Sequence, residues 1–68
     1  MMLEKRSLSL TGHRTSIALE PAFWAALEAI AARRSMTLPG LIAEIDAARE
    51  AGQALASALR VFALTQTG

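Results

Sequence analysis

The chain has 68 residues, a formal net charge of +1 and no cysteine. A domain of this size buries only about 60% of the surface that it exposes when unfolded, so it usually needs disulfides, a metal or a partner chain. Disulfides are excluded, and one histidine without a thiolate supplies too few ligands for a structural zinc site. We therefore expect one domain, without a cofactor, that is stabilised by a second copy of the chain.

Apolar stretches in the sequence are too short to span a membrane, which takes about 20 consecutive residues. The longest stretch, residues 25–32, is interrupted by Glu28. The residues after Lys5 and Arg6 alternate between polar and apolar types, unlike the apolar core of a secretory signal peptide. We expect a cytoplasmic protein that does not cross a membrane.

Basic charge is concentrated near the N-terminus. Residues 5–19 contain Lys5, Arg6, His13 and Arg14 but no acidic residue. From residue 35 onwards, the chain contains two arginines and three acidic residues. This distribution favours an anionic partner at the N-terminal end of the chain.

A strand is predicted at about residues 13–19, where Ile17 and Leu19 alternate with polar residues. Leu8 and Leu10 alternate in the same way but with the opposite parity, so one straight strand would place the two pairs on opposite faces. Either Gly12 forms a bulge that realigns the faces, or residues 1–10 form a separate arm. Both alternatives stay open, and we assign residues 1–6 to an N-terminal arm.

Three helices are predicted at about residues 21–34, 38–50 and 53–63, within a domain that covers residues 7–63. Pro21 suits the first turn of the first helix, and Thr37 suits the N-cap of the second. Apolar residues recur at helical spacing in the first helix; they are Phe23, Leu27, Ile30 and Ala31. Residues 64–68 are expected to fray.

This order of elements resembles the ribbon-helix-helix family of DNA-binding repressors. Three segments carry the resemblance: Thr15-x-Ile17-x-Leu19, Phe23-xxx-Leu27-xx-Ile30-Ala31 and Thr37-xxx-Leu41-Ile42-xx-Ile45. Residues 12–16, 45–47 and 56–62 resemble a small bacterial subfamily with an added C-terminal helix. The resemblance implies a mainly α protein with one short β-strand. It also implies an intertwined homodimer, in which the strands of two chains form an intermolecular two-stranded antiparallel ribbon.

The large apolar residues of the sequence also predict a dimer. We expect that one chain cannot bury all of its large apolar side chains; the set comprises Ile17, Leu19, Leu27, Ile42 and Ile45. Folding and association would then be a single event.

The resemblance further implies sequence-specific binding to double-stranded DNA and a role in transcription regulation. Family members read base edges in the major groove with the outward side chains of the ribbon. Carried over by position, the readers are Arg14, Ser16 and Ala18, whereas Thr15, Ile17 and Leu19 point inward. The remaining expected DNA contacts go to phosphates; they are Lys5, Arg6 and the start of the second helix at Thr37 and Leu38.

A small-molecule sensor or a protein-interaction module on the same fold is the alternative function. Its polar groups would be His13, Arg49, Ser57 and Arg60, with Arg60 clamping the carboxylate of an effector such as an amino acid. A simpler interpretation leaves Arg60 exposed to solvent or pairs it with Glu50 or Asp46. Catalysis is not expected, because His13 and Ser16 lie on opposite faces of a strand and cannot form a nucleophile–base pair.

Overall fold

The structure is a computed structural model that describes residues 2–66. Two strands precede three helices: β1 is Glu4–Leu10, β2 is His13–Leu19, α1 is Pro21–Arg33, α2 is Leu38–Ala48 and α3 is Leu55–Gln66. The strand–helix–helix order and the added C-terminal helix are confirmed. The expectation of one strand in each chain is wrong, because β1 precedes the predicted strand.

The two strands form an antiparallel hairpin that is closed by Thr11 and Gly12. Cα partners run from Glu4 opposite Leu19 to Leu10 opposite His13. Thr11 and Gly12 have φ angles of 42° and 88°. Two consecutive positive φ values are typical of the two-residue type I′ turn, whose twist matches that of the strands it joins. Gly12 therefore belongs to a turn, and neither the bulge nor the separate arm is formed.

This hairpin includes part of the predicted N-terminal arm. Residues 4–6 of that arm lie in β1, and Met1 lies outside the described residues. Strand pairing on one edge of β2 is thus made within the chain, whereas we expected it from a second copy.

The pairing within the hairpin explains why the large apolar residues of β1 are even-numbered and those of β2 are odd-numbered. Each even-numbered residue of β1 pairs with an odd-numbered residue of β2, and paired residues share a face of the sheet. Leu10, Ile17 and Leu19 are consequently buried together, with Leu8 half-buried beside them. These side chains form the inner face of the hairpin.

The core lies between this inner face and the three helices. Helical residues supply most of it: Trp24, Leu27, Ile30 and Ala31 from α1, Leu41, Ile42 and Ile45 from α2, and Ala58, Leu59 and Ala63 from α3. The side chains that one chain was expected to leave uncovered are all buried; Ile17, Leu19, Leu27, Ile42 and Ile45 are 5%, 0%, 0%, 0% and 8% exposed. That expectation is wrong because α3 packs against α1, α2 and β2, while β1 packs against α2.

The connection from α1 to α2 is closed by backbone and side-chain caps. The N–H groups of Ser35 and Met36 donate to the carbonyls of Ala32 and Ala31, which is the Schellman pattern, and Ser35 has the positive φ of 55° that this pattern requires. At the start of α2, the Thr37 Oγ1 accepts a hydrogen bond from the Gly40 N–H at 3.1 Å.

The lack of a side chain at Gly40 leaves room for the cap of α2. A Cβ on residue 40 would lie 3.0 Å from the Thr37 Oγ1 and would crowd the cap.

Helix ends differ from the prediction mainly at the C-terminal side. α2 ends at Ala48, earlier than expected, and α3 continues to Gln66. Residues 64–66 are therefore helical where fraying was predicted, and residues 67 and 68 lie outside the described part. In residues 2–66, no helix combines the length and apolar character needed to cross a membrane.

Candidate nucleic-acid interface

The hairpin presents a polar surface on the side that faces away from the helices. We call it the outer face, and it consists of Lys5, Ser7 and Ser9 on β1 with Arg14, Ser16 and Ala18 on β2. All six are exposed except Ala18, which is half-buried. The six include two cations, three hydroxyl side chains and no acid. The predicted division of β2 into outward Arg14 and Ser16 and inward Ile17 and Leu19 is confirmed by their burial.

The register fixes how these side chains lie relative to one another. Ser7 lies opposite Ser16, and their Oγ atoms are 3.2 Å apart, within hydrogen-bonding distance. Lys5 lies opposite Ala18, and Ser9 lies opposite Arg14. The cations thus occupy different strands and opposite ends of the hairpin, with serines between them. Such a surface can donate hydrogen bonds to anionic oxygens and to acceptors on base edges.

Lys5 and Arg14 differ from the other cations of the chain. Within residues 2–66, neither has an ion-pair or hydrogen-bond partner for its charged group. Each of the other five contacts a carboxylate or a carbonyl oxygen; they are Arg6, Arg33, Arg34, Arg49 and Arg60. The two cations that remain available for an external anion therefore lie on the same surface.

Arg6 is separated from this surface because it lies on the inner face. Its guanidinium binds Glu4 at 2.6 Å and Glu28 at 2.8 Å, and it lies 4.7 Å from the centroid of the Trp24 ring. The hydrogen bonds that Arg6 donates to Glu28 and Glu4 raise the pKa of Arg6 above its usual value. The prediction that Arg6 shares one DNA-facing surface with Lys5 and Arg14 is wrong, because adjacent strand residues point to opposite faces.

Trp24 ties the same region to the helices. Its Nε1–H donates a hydrogen bond of 2.8 Å to the Glu4 carbonyl oxygen, and the side chain is 1% exposed. Together with Arg6 and Glu28, this contact fastens the start of β1 to α1. Since Trp24 is buried, it packs in the core and is not available to stack on a base.

The start of α2 is the second predicted phosphate contact. Thr37 is exposed and caps the helix, whereas Leu38 is half-buried and packs against the core. Leu38 can therefore contribute only its backbone N–H to a ligand. Pro39 lacks an N–H, and the Gly40 N–H is bound to the Thr37 side chain.

Residues proposed for a small-molecule ligand do not line a common pocket. The groove between α2 and α3 has a volume of about 300 Å³, and Arg49 is the only one of the four among its lining residues in the described chain. Arg49 is bound to Asp46 at 2.7 Å and to the Gln53 carbonyl at 2.6 Å. His13 and Ser57 are exposed elsewhere, on β2 and α3.

Arg60, the expected ligand clamp, already holds a carboxylate of its own chain. Its Nε lies 2.9 Å from the Glu20 Oε1, and its guanidinium lies 5.9 Å from the centroid of the Phe23 ring. The sequence interpretation that paired Arg60 with Glu50 or Asp46 is thus wrong in its partner. Glu20 was missed because it is 40 positions away in the chain.

The Glu20–Arg60 pair predicts a pH dependence of stability. The pKa of Glu20 is lowered by hydrogen bonds that its carboxylate accepts, first from its own backbone N–H and then from Arg60. Since the folded-state pKa lies below the ordinary value of 4.5, the stabilisation is fully present above that pH and is lost as pH falls through the folded-state pKa. The melting temperature of the wild type should fall more steeply below pH 4.5 than that of Glu20→Gln, as measured by scanning fluorimetry.

The matched control for this measurement is Glu50→Gln, which removes an exposed carboxylate from the loop after α2. Its melting temperature should follow the wild-type pH profile. Equal acid slopes for the wild type and Glu20→Gln would contradict the assigned role of the pair.

Comparison with known proteins gives a match to a family model. A family model described as a ribbon-helix-helix domain matches residues 3–67, which include both strands and all three helices. Members of this domain family generally bind DNA as transcription regulators. No curated protein matches the chain, and no solved structure matches it.

Proposed function

The chain belongs to the ribbon-helix-helix family, and from that premise we propose that it binds double-stranded DNA sequence-specifically as a homodimeric transcriptional regulator. One observation carries the proposal: within residues 2–66, the two cations without an in-chain partner, Lys5 and Arg14, both lie on the outer face. An unpaired arginine on an exposed strand is available to bind a base or a phosphate without first breaking an ion pair.

Residues of β2 are the proposed base readers. Arg14 can donate two hydrogen bonds to the O6 and N7 atoms of guanine, the commonest specific contact in the major groove. Ser16 can donate or accept and therefore suits several bases. Ala18 can contact a thymine methyl group. The start of α2 adds a phosphate contact through the backbone N–H groups of Thr37 and Leu38, because Pro39 lacks an N–H and the Gly40 N–H is bound to the Thr37 side chain.

The second copy of the chain has a place to bind at β2. The sheet has the order β1-β2, so one edge of β2 is paired with β1 and the other edge has no strand partner within residues 2–66. Antiparallel pairing of two such edges about a two-fold axis would satisfy the backbone groups of both chains. The dimer would then contain a four-stranded sheet with the order β1-β2-β2-β1. Its two central strands are the intermolecular ribbon that the sequence led us to expect.

Salt dependence of DNA binding tests this proposal. A duplex selected from a random library should be an inverted repeat and should bind two chains, as seen by fluorescence anisotropy and stoichiometric titration. The dimer would neutralise two phosphates with cations, one through the Lys5 of each chain, so affinity should fall about tenfold between roughly 50 mM and 200 mM salt. Lys5→Ala should weaken binding to all sequences alike and should flatten the salt dependence.

Arg33→Ala is the control for this titration, because Arg33 is exposed at the end of α1 and contacts the Gln66 carbonyl. It should bind the selected duplex as the wild type does. Weak binding that does not change with salt, or one chain per site, would contradict the proposed function.

A further inference from the structure

The pairing of β1 with β2 in one chain gives the outer face two strands with different positions relative to DNA. We infer that β1 contacts the sugar–phosphate walls of the major groove while β2 reads the bases between them. The inference rests on the proposed function, including dimerisation along the open edge of β2. It assigns phosphate contacts to Ser7 and Ser9 in addition to Lys5.

Both strands of the hairpin present side chains on the outer face of the sheet. Lys5, Ser7 and Ser9 are exposed at alternate positions of β1, and they face Ala18, Ser16 and Arg14 across the hairpin. A ligand that contacts Arg14 and Ser16 must therefore come close to β1 as well.

The spacing between strands and the width of the major groove determine which part of the DNA β1 can contact. Neighbouring strands lie about 4.8 Å apart. The two β1 strands of the dimer would be three such spacings apart, about 14 Å, while the major groove is only about 12 Å wide. The central β2 pair, one spacing apart, fits between the walls of the groove. Each β1 strand consequently lies over a wall, where its outward side chains meet phosphates and sugars.

The side chains of β1 suit such a contact. Serine hydroxyls donate to phosphate oxygens, and the Lys5 ammonium adds a positive charge. The acid of β1, Glu4, points to the inner face and is bound by Arg6 at 2.6 Å. Arg6 also binds Glu28, which holds β1 against α1 before DNA arrives. A preorganised strand of this kind loses little conformational entropy on binding.

Ser7 and Ser16 allow a matched experiment. They are the same residue, both are exposed, and each is the hydrogen-bond partner of the other across the hairpin. Ser7→Ala and Ser16→Ala thus remove the same atoms and the same internal hydrogen bond, and they differ only in the strand affected. Each variant is titrated against the selected duplex and against a shuffled duplex, after confirmation that its melting temperature matches the wild type.

The variants on the two strands are expected to differ in how their DNA affinity changes. Ser7→Ala should lower the affinity for both duplexes by the same factor, about tenfold for two lost phosphate contacts per dimer, and should leave the selected sequence unchanged. Ser16→Ala should lower the affinity for the selected duplex alone and should change the base preference at the position that it contacts.

Other outcomes would overturn the inference in distinguishable ways. A changed base preference in Ser7→Ala would mean that β1 reads bases. Unchanged affinity of Ser7→Ala for both duplexes would mean that β1 lies away from the DNA. A uniform loss in Ser16→Ala would mean that β2 does not read bases. Failure of the wild type to bind any duplex would refute the proposed function itself, and the inference with it.

Discussion

Trp24→Ala is expected to unfold the protein at room temperature. The side chain is 1% exposed in the centre of the core, and replacing a buried tryptophan by alanine costs about 3–5 kcal/mol. A single core in a domain of this size supplies only about 3–5 kcal/mol of net stability. The destabilisation caused by the substitution therefore equals or exceeds the net stability of the domain. Far-ultraviolet circular dichroism should show the loss of helical signal.

Trp24→Phe is the matched variant for this prediction. It keeps an aromatic ring in the core but removes the Nε1–H that donates to the Glu4 carbonyl at 2.8 Å. It should stay folded and lose about 1 kcal/mol in chemical denaturation, since a part-buried acceptor is left without its donor. A fully folded Trp24→Ala with wild-type stability would show that the core does not depend on this residue.

Arg14→Ala is expected to have the largest effect on DNA binding. Loss of the proposed bidentate contact to guanine should cost about 1–3 kcal/mol in each half-site of the preferred duplex and should relax the sequence preference at that position. Thr15→Ala, the neighbouring change on the half-buried inner side, should lower the melting temperature and leave base choice unchanged. Titration against the selected duplex and its single-base variants distinguishes the two effects.

Arg14→Lys is a control that keeps the positive charge and removes the planar guanidinium, which makes the bidentate contact. It should retain affinity for shuffled DNA and lose most of the preference for the selected site. If Arg14→Ala binds the selected duplex as well as the wild type at low salt, while still folded, the outer face does not read DNA.

Strand faces and helices could be predicted from the sequence because they depend on local periodicity. Alternation alone placed Ile17 and Leu19 on the buried side of β2 and Arg14 and Ser16 on the exposed side, as the structure has them. Helical spacing and the Thr37 cap located the helices in the same way. These patterns are set by residues that lie within a few positions of one another.

β1 was missed because its turn lacks the usual sequence signal. Two-residue hairpin turns favour Asn-Gly, Asp-Gly or Gly-Gly, whereas this one is Thr11-Gly12 with a β-branched residue at a φ of 42°. The opposite parity of Leu8 and Ile17 was a signal that we interpreted as a conflict. Two alternating segments of opposite parity, separated by two residues, are what a two-residue hairpin produces.

The roles of the charged residues could not be predicted, since they depend on contacts between distant elements. Arg6 binds Glu28 across 22 positions, and Arg60 binds Glu20 across 40. A count of charge along residues 5–19 treats Lys5 and Arg6 as equivalent. Only the strand assignment of β1 separates them, placing Lys5 outside and Arg6 against Trp24.

The tight turn at Thr11 and Gly12 also affects the order of events during folding. When a ribbon is built from strands of two chains, the sheet can form only after a bimolecular encounter, and its formation slows as the protein is diluted. Here the first strand pair closes a short loop within one chain, and such hairpins form in about 1–10 μs. A newly made chain can therefore complete this sheet at any concentration. In the proposed dimer, a second copy would meet a finished strand edge, and the rate of assembly would be set by how often two folded chains collide in the right orientation.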